Sequence, residues 1–486
     1  MRESKKFAFD VSITFIASII STMLGFCITI LLGRYLGANS LGLYRMSSTV
    51  LWIITLVAAI GIPAAIVKYA AEVKGDREKL SQVISSGVFT SLISGIIFIA
   101  TFYFLSGIFA QIFKMPELSF LLRILAFVFP FTLVSGILLA MFNGLREMKK
   151  YNIATIFQSF LLIFFTLVLF KFGFGVNGAV AAIVFSAIGD CALLMWFSRG
   201  YFVLTLKNYL SMTKKLTTFG FQIFGATIIN QINYQADTIF IGYFLTAAHV
   251  GQYAVAVGLS RFFWLIPNAI QTITYPATSE YWIEDNQKAL QKMIDKSMKY
   301  STCLLFPIGI GVGVFAQDII VFIFGDGFID AVLPLKILII GTIIQGSTIR
   351  VIGSSLAGVG RPDISLKLVL VSATTNIVLN ALLIPYYGII GAAFTTTCSL
   401  LLNTVLGLFF IMRILGVNLD LKWNVKMGVI TTITLFLLYT LPEFFIWKIC
   451  ILTGYVLLIF IILLTKEDRS YFLELVRDTH SFLKKS

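Results

Sequence analysis

The sequence predicts an all-α polytopic membrane protein of about 14 transmembrane helices, arranged as two pseudo-symmetric six-helix lobes plus two C-terminal helices. Three observations carry that expectation. First, the 486 residues are 58% hydrophobic and only 12% charged, with a mean hydropathy of +0.94. Globular proteins hold about 25% charged residues, so too little polar surface remains to face water and a water-soluble fold is excluded. Second, apolar runs close to the ~20 residues that a helix needs to cross the hydrocarbon core recur along the chain. Third, the two halves repeat.

The runs cover 11–33, 42–66, 82–106, 119–142, 153–172, 176–197, 217–244, 248–275, 300–324, 331–357, 365–384, 389–413, 425–441 and 444–464, separated by polar residues, Gly or Pro. An even number of crossings returns both termini to one side, and the positive-inside rule selects the cytoplasm. Of the 37 Lys and Arg, 28 then fall in the eight inner segments, five in outer segments and four within spans. The formal charge of +14 is therefore mostly topological. Basic residues dispersed in this way suit anionic lipid headgroups rather than nucleic acid. Asp10 precedes the first span and no small-residue cleavage site follows, so the N-terminus reads as a retained signal anchor. The expected location is the cell (plasma or inner) membrane, multi-pass, with the N- and C-termini cytoplasmic.

The polar intervals, of which 276–298 and the C-terminal tail are the longest, are too short for a soluble domain. Ala289, Leu290, Met293 and Ile294 between Lys288, Lys292 and Lys296 predict a short helix on the inner surface, and Tyr471, Phe472, Leu475 and Phe482 suggest the same of the tail. The five cysteines stand one per apolar stretch with no CxxC spacing and read as packed hydrophobes. His249 and His480 make no metal cluster by themselves, and no HExxH spacing is present. No metal, cofactor or enzymatic activity is expected.

The repeat is the most informative feature. Leu32-Gly33-Arg34-Tyr35-Leu36 before Gly42-Leu43-Tyr44 recurs as Ile241-Gly242-Tyr243-Phe244-Leu245 before Gly251-Gln252-Tyr253, an offset of 209 residues. Gly175-Val176-Asn177-Gly178-Ala179 recurs as Gly388-Ile389-Ile390-Gly391-Ala392 at an offset of 213, and Pro63 and Pro276 are expected to end corresponding helices. The domains expected are residues 1–210 and 211–420, six spans each, with 421–486 holding two further helices and a cytoplasmic tail. Copies with an even number of spans share one topology, as in transporters that bind substrate between halves and rock to alternate access.

These residues also carry a resemblance. The Leu-Gly-Arg-Tyr-Leu-Gly-Ala-Asn-Ser-Leu-Gly-Leu-Tyr run at 32–44, the Asp-Thr-Ile-Phe-Ile-Gly-Tyr-Phe-Leu run at 237–245 and Gly-Val-Gly-Arg-Pro-Asp at 358–363 resemble the polysaccharide-transport branch, including Wzx-type O-antigen flippases, of the multidrug/oligosaccharidyl-lipid/polysaccharide exporter superfamily. The resemblance implies a flippase that moves polyprenyl-linked glycans from the inner to the outer leaflet. A polyprenyl-linked glycan and membrane lipids are then the expected partners, with glycan-assembly enzymes as further candidates.

Ionisable groups at the bilayer centre cost about 2.5–3.5 kcal/mol on insertion scales, so those present are the candidate site. Arg261 in the middle of span 8, Arg350 in the inner half of span 10 and Arg45 near the outer end of span 2 are expected to line a cavity and bind a lipid-carrier phosphate. The alternative is structural pairing. In span 7, Asn230, Asn233 and Asp237 share a helical face; the amides are candidates for sugar hydroxyls, and Asp237 either couples a proton or cation or joins helices. Asp190 and Asp318 are the other embedded acids, Lys336 and Arg123 are expected to snorkel, and Trp52, Trp196, Trp282, Trp423 and Trp447 are expected as packing or interface anchors.

The nearest rival is a cation-coupled multidrug exporter of the same superfamily. Such exporters place an acidic residue in the first helix, and 11–33 contains no Asp or Glu. A membrane glycosyltransferase would need acidic outer loops, whereas the segment 107–118 offers only Glu117. The GxxxxGK[ST] loop of a pump driven by ATP is absent from the sequence.

Overall fold

Inside a bilayer no water satisfies backbone N–H and C=O groups, so a spanning chain must bond them within helices. The computed structural model describes residues 2–440, 444–464 and 469, with the side chains of 2–9, 11, 226, 227, 229, 230, 232, 233 and 421 outside the description. The tail residues named above also lie outside it.

The first helix, α1 (Arg2–Ala59), is far longer than one crossing needs. Its backbone leaves the helical region at Gly37 (φ 79°), so it is two arms end to end on predicted spans 11–33 and 42–66. A break at Ile60 and Gly61 leads to α2 (Ile62–Glu72), and α3 (Arg77–Ile112) is N-capped by the Asp76 carboxylate, which accepts from Lys79 N at 3.0 Å. The next pair, α4 (Pro116–Ala126) and α5 (Phe129–Gly144), is bent by 54°. Then come α6 (Met148–Lys171), α7 (Gly175–Ser198) and α8 (Tyr209–Phe244). A 3-10 turn at Phe262–Trp264 separates α9 (Ala247–Arg261) from α10 (Leu265–Ile283). Next are α11 (Gln287–Val314), α12 (Ala316–Phe324) and a broken stretch of α13 (Val332–Ser347), α14 (Ile349–Ile352) and α15 (Ser355–Gly358). The 54-residue α16 (Pro362–Leu415) kinks at Gly388, and α17 (Leu421–Thr440) and α18 (Phe445–Leu458) follow.

Among the described residues nine helical stretches are long and apolar enough to cross a membrane, or ten with the bent pair as one span. Two of these, Ser12–Ala59 and Pro362–Leu415, each hold two predicted spans. The α8 and α17 helices lie on the two predicted spans that remain, so among the described residues each predicted span lies largely on helix.

The helices form two compact units. The first comprises Met1–Leu265, Asp318–Gly341 and Leu366–Leu402. Ile66, Ile84, Ile137, Met141, Phe142 and Leu194 of α2, α3, α5 and α7 form a core within it. The second comprises Ile266–Gln317, Thr342–Ser365 and Asn403–Ser486. Here Ile310 packs with Trp423, Met427, Tyr455 and Ile459, and Trp423 Nε1 donates to the Leu463 carbonyl at 3.1 Å. Trp423 is therefore a buried packing residue, not an interface anchor.

The repeat appears as paired local geometry inside the first unit. A Cβ on Gly42 would overlap the Ala247 carbonyl, and a Cβ on Gly251 would overlap the Ala38 carbonyl, while each would lie 3.0 Å from the other glycine's backbone nitrogen. Both residue pairs differ by the repeat offset, so the contact is reciprocal. Absent side chains let the second arm of α1 and α9 meet backbone to backbone. Gly175 and Gly388, the partners of the second match, both hold positive φ, 52° and 58°, where one helix hands over to the next.

Several local expectations change. Residues 287–298 are no separate surface helix but the first turns of α11. Pro63 sits in the first turn of α2, and Pro276 lies inside α10, so neither ends a helix. Asp318 is exposed in the first turn of α12. Cys27 and Cys450 are exposed rather than packed.

Gly42→Val should destabilise the purified protein by about 1–3 kcal/mol, read as a lowered thermal transition, as should Gly251→Val. Both act on one contact, so the double variant should fall short of the sum. Full additivity would show that the two glycines do not share it. At the start of α17, Lys299 Nζ lies 2.8 Å from Asp420 Oδ2 and the Trp423 N–H donates to Oδ1 at 3.1 Å. Together they hold the Asp420 carboxyl below the usual carboxylate range. That stabilisation is complete above the unfolded value near pH 4 and is lost as pH falls through the lowered one. Asp420→Asn should flatten this acid limb in melting temperatures measured against pH.

Candidate functional site

Arg45 on the second arm of α1 and Arg261 at the end of α9 line one cavity of 380 Å³ in the first unit. The cavity lies beside the Gly42–Gly251 contact, between residues 41–48 of α1 and 254–262, with residues 22–29 of the first α1 arm as a third wall. Phe26 and Phe262 meet edge to face across it, with ring centroids 4.9 Å apart. The Thr22 and Ser48 hydroxyls donate back to the carbonyls of Ser18 and Tyr44 at 2.7 and 2.8 Å, which leaves their oxygens as acceptors. Arg261 is the last residue of α9, where the helix gives way to the 3-10 turn. Among the described residues neither Arg45 nor Arg261 forms an ion pair. Two like charges thus share a confined space and repel each other.

Asp237, on α8, has different company. Its Oδ2 accepts from the Tyr253 hydroxyl at 2.7 Å and from the Thr396 hydroxyl at 2.6 Å, and its Oδ1 accepts from Asn380 Nδ2 at 2.7 Å. Asn380 Nδ2 also donates to Asn376 Oδ1 at 3.0 Å, and Asn376 Nδ2 lies 3.4 Å from Thr396 Oγ1. The cluster joins α8, α9 and both arms of α16. Asn380 is fully buried, and its Oδ1 has no hydrogen-bond partner among the described residues.

A family model described as "Polysaccharide biosynthesis protein" matches residues 31–333, more than half of the chain. The chain belongs to this family. A second model, "Lipid II flippase MurJ", matches residues 211–464. The chain is 33% identical over 170 residues to the "Probable low-salt glycan biosynthesis flippase Agl15" of Haloferax volcanii, a match over 35% of this chain and 36% of the relative. The aligned part is thus about a third of that relative's length. Two solved structures share the fold. A lipid II flippase MurJ in an inward closed conformation superposes with a TM-score of 0.73 at 18% identity, over 92% of this chain and 97% of the other. An inward-facing multidrug resistance MATE family transporter gives 0.70 at 15%, over 82% and 94%.

The family member's other predicted site residues separate. Arg350 belongs to the second unit, on the short α14, where its Nε donates to Asn268 Oδ1 at 2.9 Å. The side chains of Asn230 and Asn233 lie outside the described residues. Asp190 is 1% exposed, as expected of an embedded acid, and neither of its carboxylate oxygens has a hydrogen-bond partner among the described residues. Sequence reasoning missed Tyr253, Asn376, Asn380 and Thr396. The i, i+4 spacing of the two asparagines inside an apolar span was the available signal.

Asp237→Ala strips three donors of one acceptor and should lower stability by about 3 kcal/mol or more, whereas Tyr253→Phe removes one bond and should cost about 1 kcal/mol. Thermal scans on the purified variants measure both. Equal melting of Asp237→Ala and the parent protein would show that the carboxylate does not organise the cluster.

Proposed function

We propose that the protein is a lipid-linked oligosaccharide or polysaccharide flippase, translocating polyprenyl-(pyro)phosphate-linked glycans from the inner to the outer leaflet by alternating access. The observation that carries this reading is the placement of Arg45 and Arg261 in one cavity whose lining holds no carboxylate, neither forming an ion pair among the described residues. A phosphate or pyrophosphate supplies the missing negative charge and accepts from guanidinium forks. The hydroxyl oxygens of Thr22 and Ser48 face the donors of a sugar. Helix breaks at 262–264 and 347–354 leave Arg261 and Arg350 at discontinuities, the places where transporters expose backbone groups to substrate. Asn230 and Asn233 are assigned to substrate binding in the first unit, and Arg350 to the same role in the second.

Rocking of residues 1–210 against 211–420 supplies the alternation, with 421–486 as an accessory pair of helices and tail. Both termini face the cytoplasm, and the membrane is the cell (plasma or inner) membrane. Glycan-assembly enzymes are the proposed protein partners. Asp237 is assigned the coupling proton or monovalent cation, because reversing the Asn380 amide would turn its unpartnered Oδ1 toward the carboxylate and give an oxygen cage with Asn376 and Thr396. A cation-coupled multidrug exporter is the second reading, supported by that acidic cluster and opposed by the two cavity guanidiniums.

In proteoliposomes holding a short lipid-pyrophosphate-linked oligosaccharide, a membrane-impermeant sugar probe should detect exposure that depends on the protein. Arg45→Ala and Arg261→Ala should each slow exposure at least about ten-fold with membrane insertion intact. Normal transport by Arg261→Ala sinks the phosphate assignment. Efflux of a cationic dye in place of glycan exposure would move the assignment to the exporter.

A further inference from the structure

The second unit holds a concavity of 560 Å³ between the first turns of α11 and the loop that joins α16 to α17. That loop is built rather than slack. Gln287 Nε2 donates to the Leu415 carbonyl, and Gln291 pairs with the Asn418 backbone in both directions, its Oε1 accepting from N at 2.8 Å and its Nε2 donating to O at 2.8 Å. Lys299 is matched by Asp420 at 2.8 Å.

The wall facing this loop is unbalanced. Lys288, Lys292 and Lys296 stand at i, i+4 and i+8 along α11, and among the described residues none forms an ion pair. Like charges four residues apart on a helix repel. The first turn of α11 contains no acidic residue, so the positive end of the helix macrodipole adds to the lysines instead of being offset. Asp295, the carboxylate on this wall, is bonded to Gln291 Nε2 at 2.9 Å. Three lysines without an ion pair among the described residues thus outnumber the one carboxylate on this wall, which a neutral amide leaves charged. Just before α11, Trp282 and Ile283 at the end of α10 are 41% and 82% exposed. An aromatic and an aliphatic side chain left bare beside a basic face suit a membrane interface.

We propose that this concavity binds the phosphate headgroup of an acidic phospholipid in the cytoplasmic leaflet, with Lys288, Lys292 and Lys296 as its ligands. The leaflet rests on the orientation proposed above; the chemistry of the site does not. The headgroup phosphate sits over the lysine row, and Trp282 and Ile283 meet the acyl boundary.

The full-length protein, purified in a neutral detergent, is titrated with dioleoylphosphatidylglycerol and with dioleoylphosphatidylcholine, and lipid adducts are counted by native mass spectrometry. The parent protein should prefer the acidic lipid. Each of Lys288→Gln, Lys292→Gln and Lys296→Gln should lower that preference by roughly five-fold, and the triple Lys→Arg variant should keep it, which separates loss of charge from misfolding. No preference in the parent, or full preference in the triple Lys→Gln variant, overturns the proposal. Inorganic pyrophosphate is the soluble arm: if it occupies the site without any preference among lipids, a free anion rather than a headgroup is the ligand and the proposal fails. Arg261→Ala should retain the lipid adducts whatever its transport, so failure here and failure of the flippase reading are distinguishable.

Discussion

Because neither Gly42 nor Gly251 carries a side chain, the second arm of α1 and α9 meet backbone against backbone, and the residues that follow on each helix have only the space between them to fill. The faces that run from Leu41 to Ser48 and from Ala254 to Arg261 become two walls of one cavity. A Cβ at either glycine would push the helices apart at the carbonyls of Ala247 and Ala38. The duplicated sequence thus produces a contact that is its own mirror partner, as expected when a patch meets its copy around a two-fold axis.

Charge placement follows from that frame. Arg45 lies three residues past Gly42 and Arg261 ten past Gly251, so a symmetric backbone carries an asymmetric set of groups. The positions equivalent to Arg45 and Asp237 at the 209-residue offset are Ala254 and Ile28. One half contributes the hydrogen-bonded carboxylate cluster and the other does not. Two guanidiniums in one cavity without an ion pair are costly in a low-dielectric setting, and they stand beside an apolar rim of Phe26 and Phe262.

The helical architecture and the repeat were legible in the sequence because both are written in local features: apolar run length, glycine spacing and the alternation of basic segments. The cavity arginines were legible for the same reason, as each is a lone charge in an apolar run. The partners of Asp237 were not, since Asn380 and Thr396 stand 143 and 159 residues away in the chain and only the packing of α16 against α8 brings them in. The break at 262–264 had one signal in the sequence, Pro267, whose ring crowds the carbonyl four residues back at Phe263. Of the two expectations for Trp423, packing or interface anchor, position alone does not choose; its indole finds the Leu463 carbonyl inside a core.

All three donors on the Asp237 carboxylate are neutral. Nothing nearby in that set compensates a change of protonation or ion occupancy, so the cluster's net charge moves by a whole unit when either occurs. A unit charge carried across the full membrane potential represents about 2.3 kcal/mol per 100 mV, and a group part of the way through the dielectric feels the corresponding fraction. On the proposed coupling role, the potential across the membrane would bias which state of the cluster is occupied, independently of any substrate.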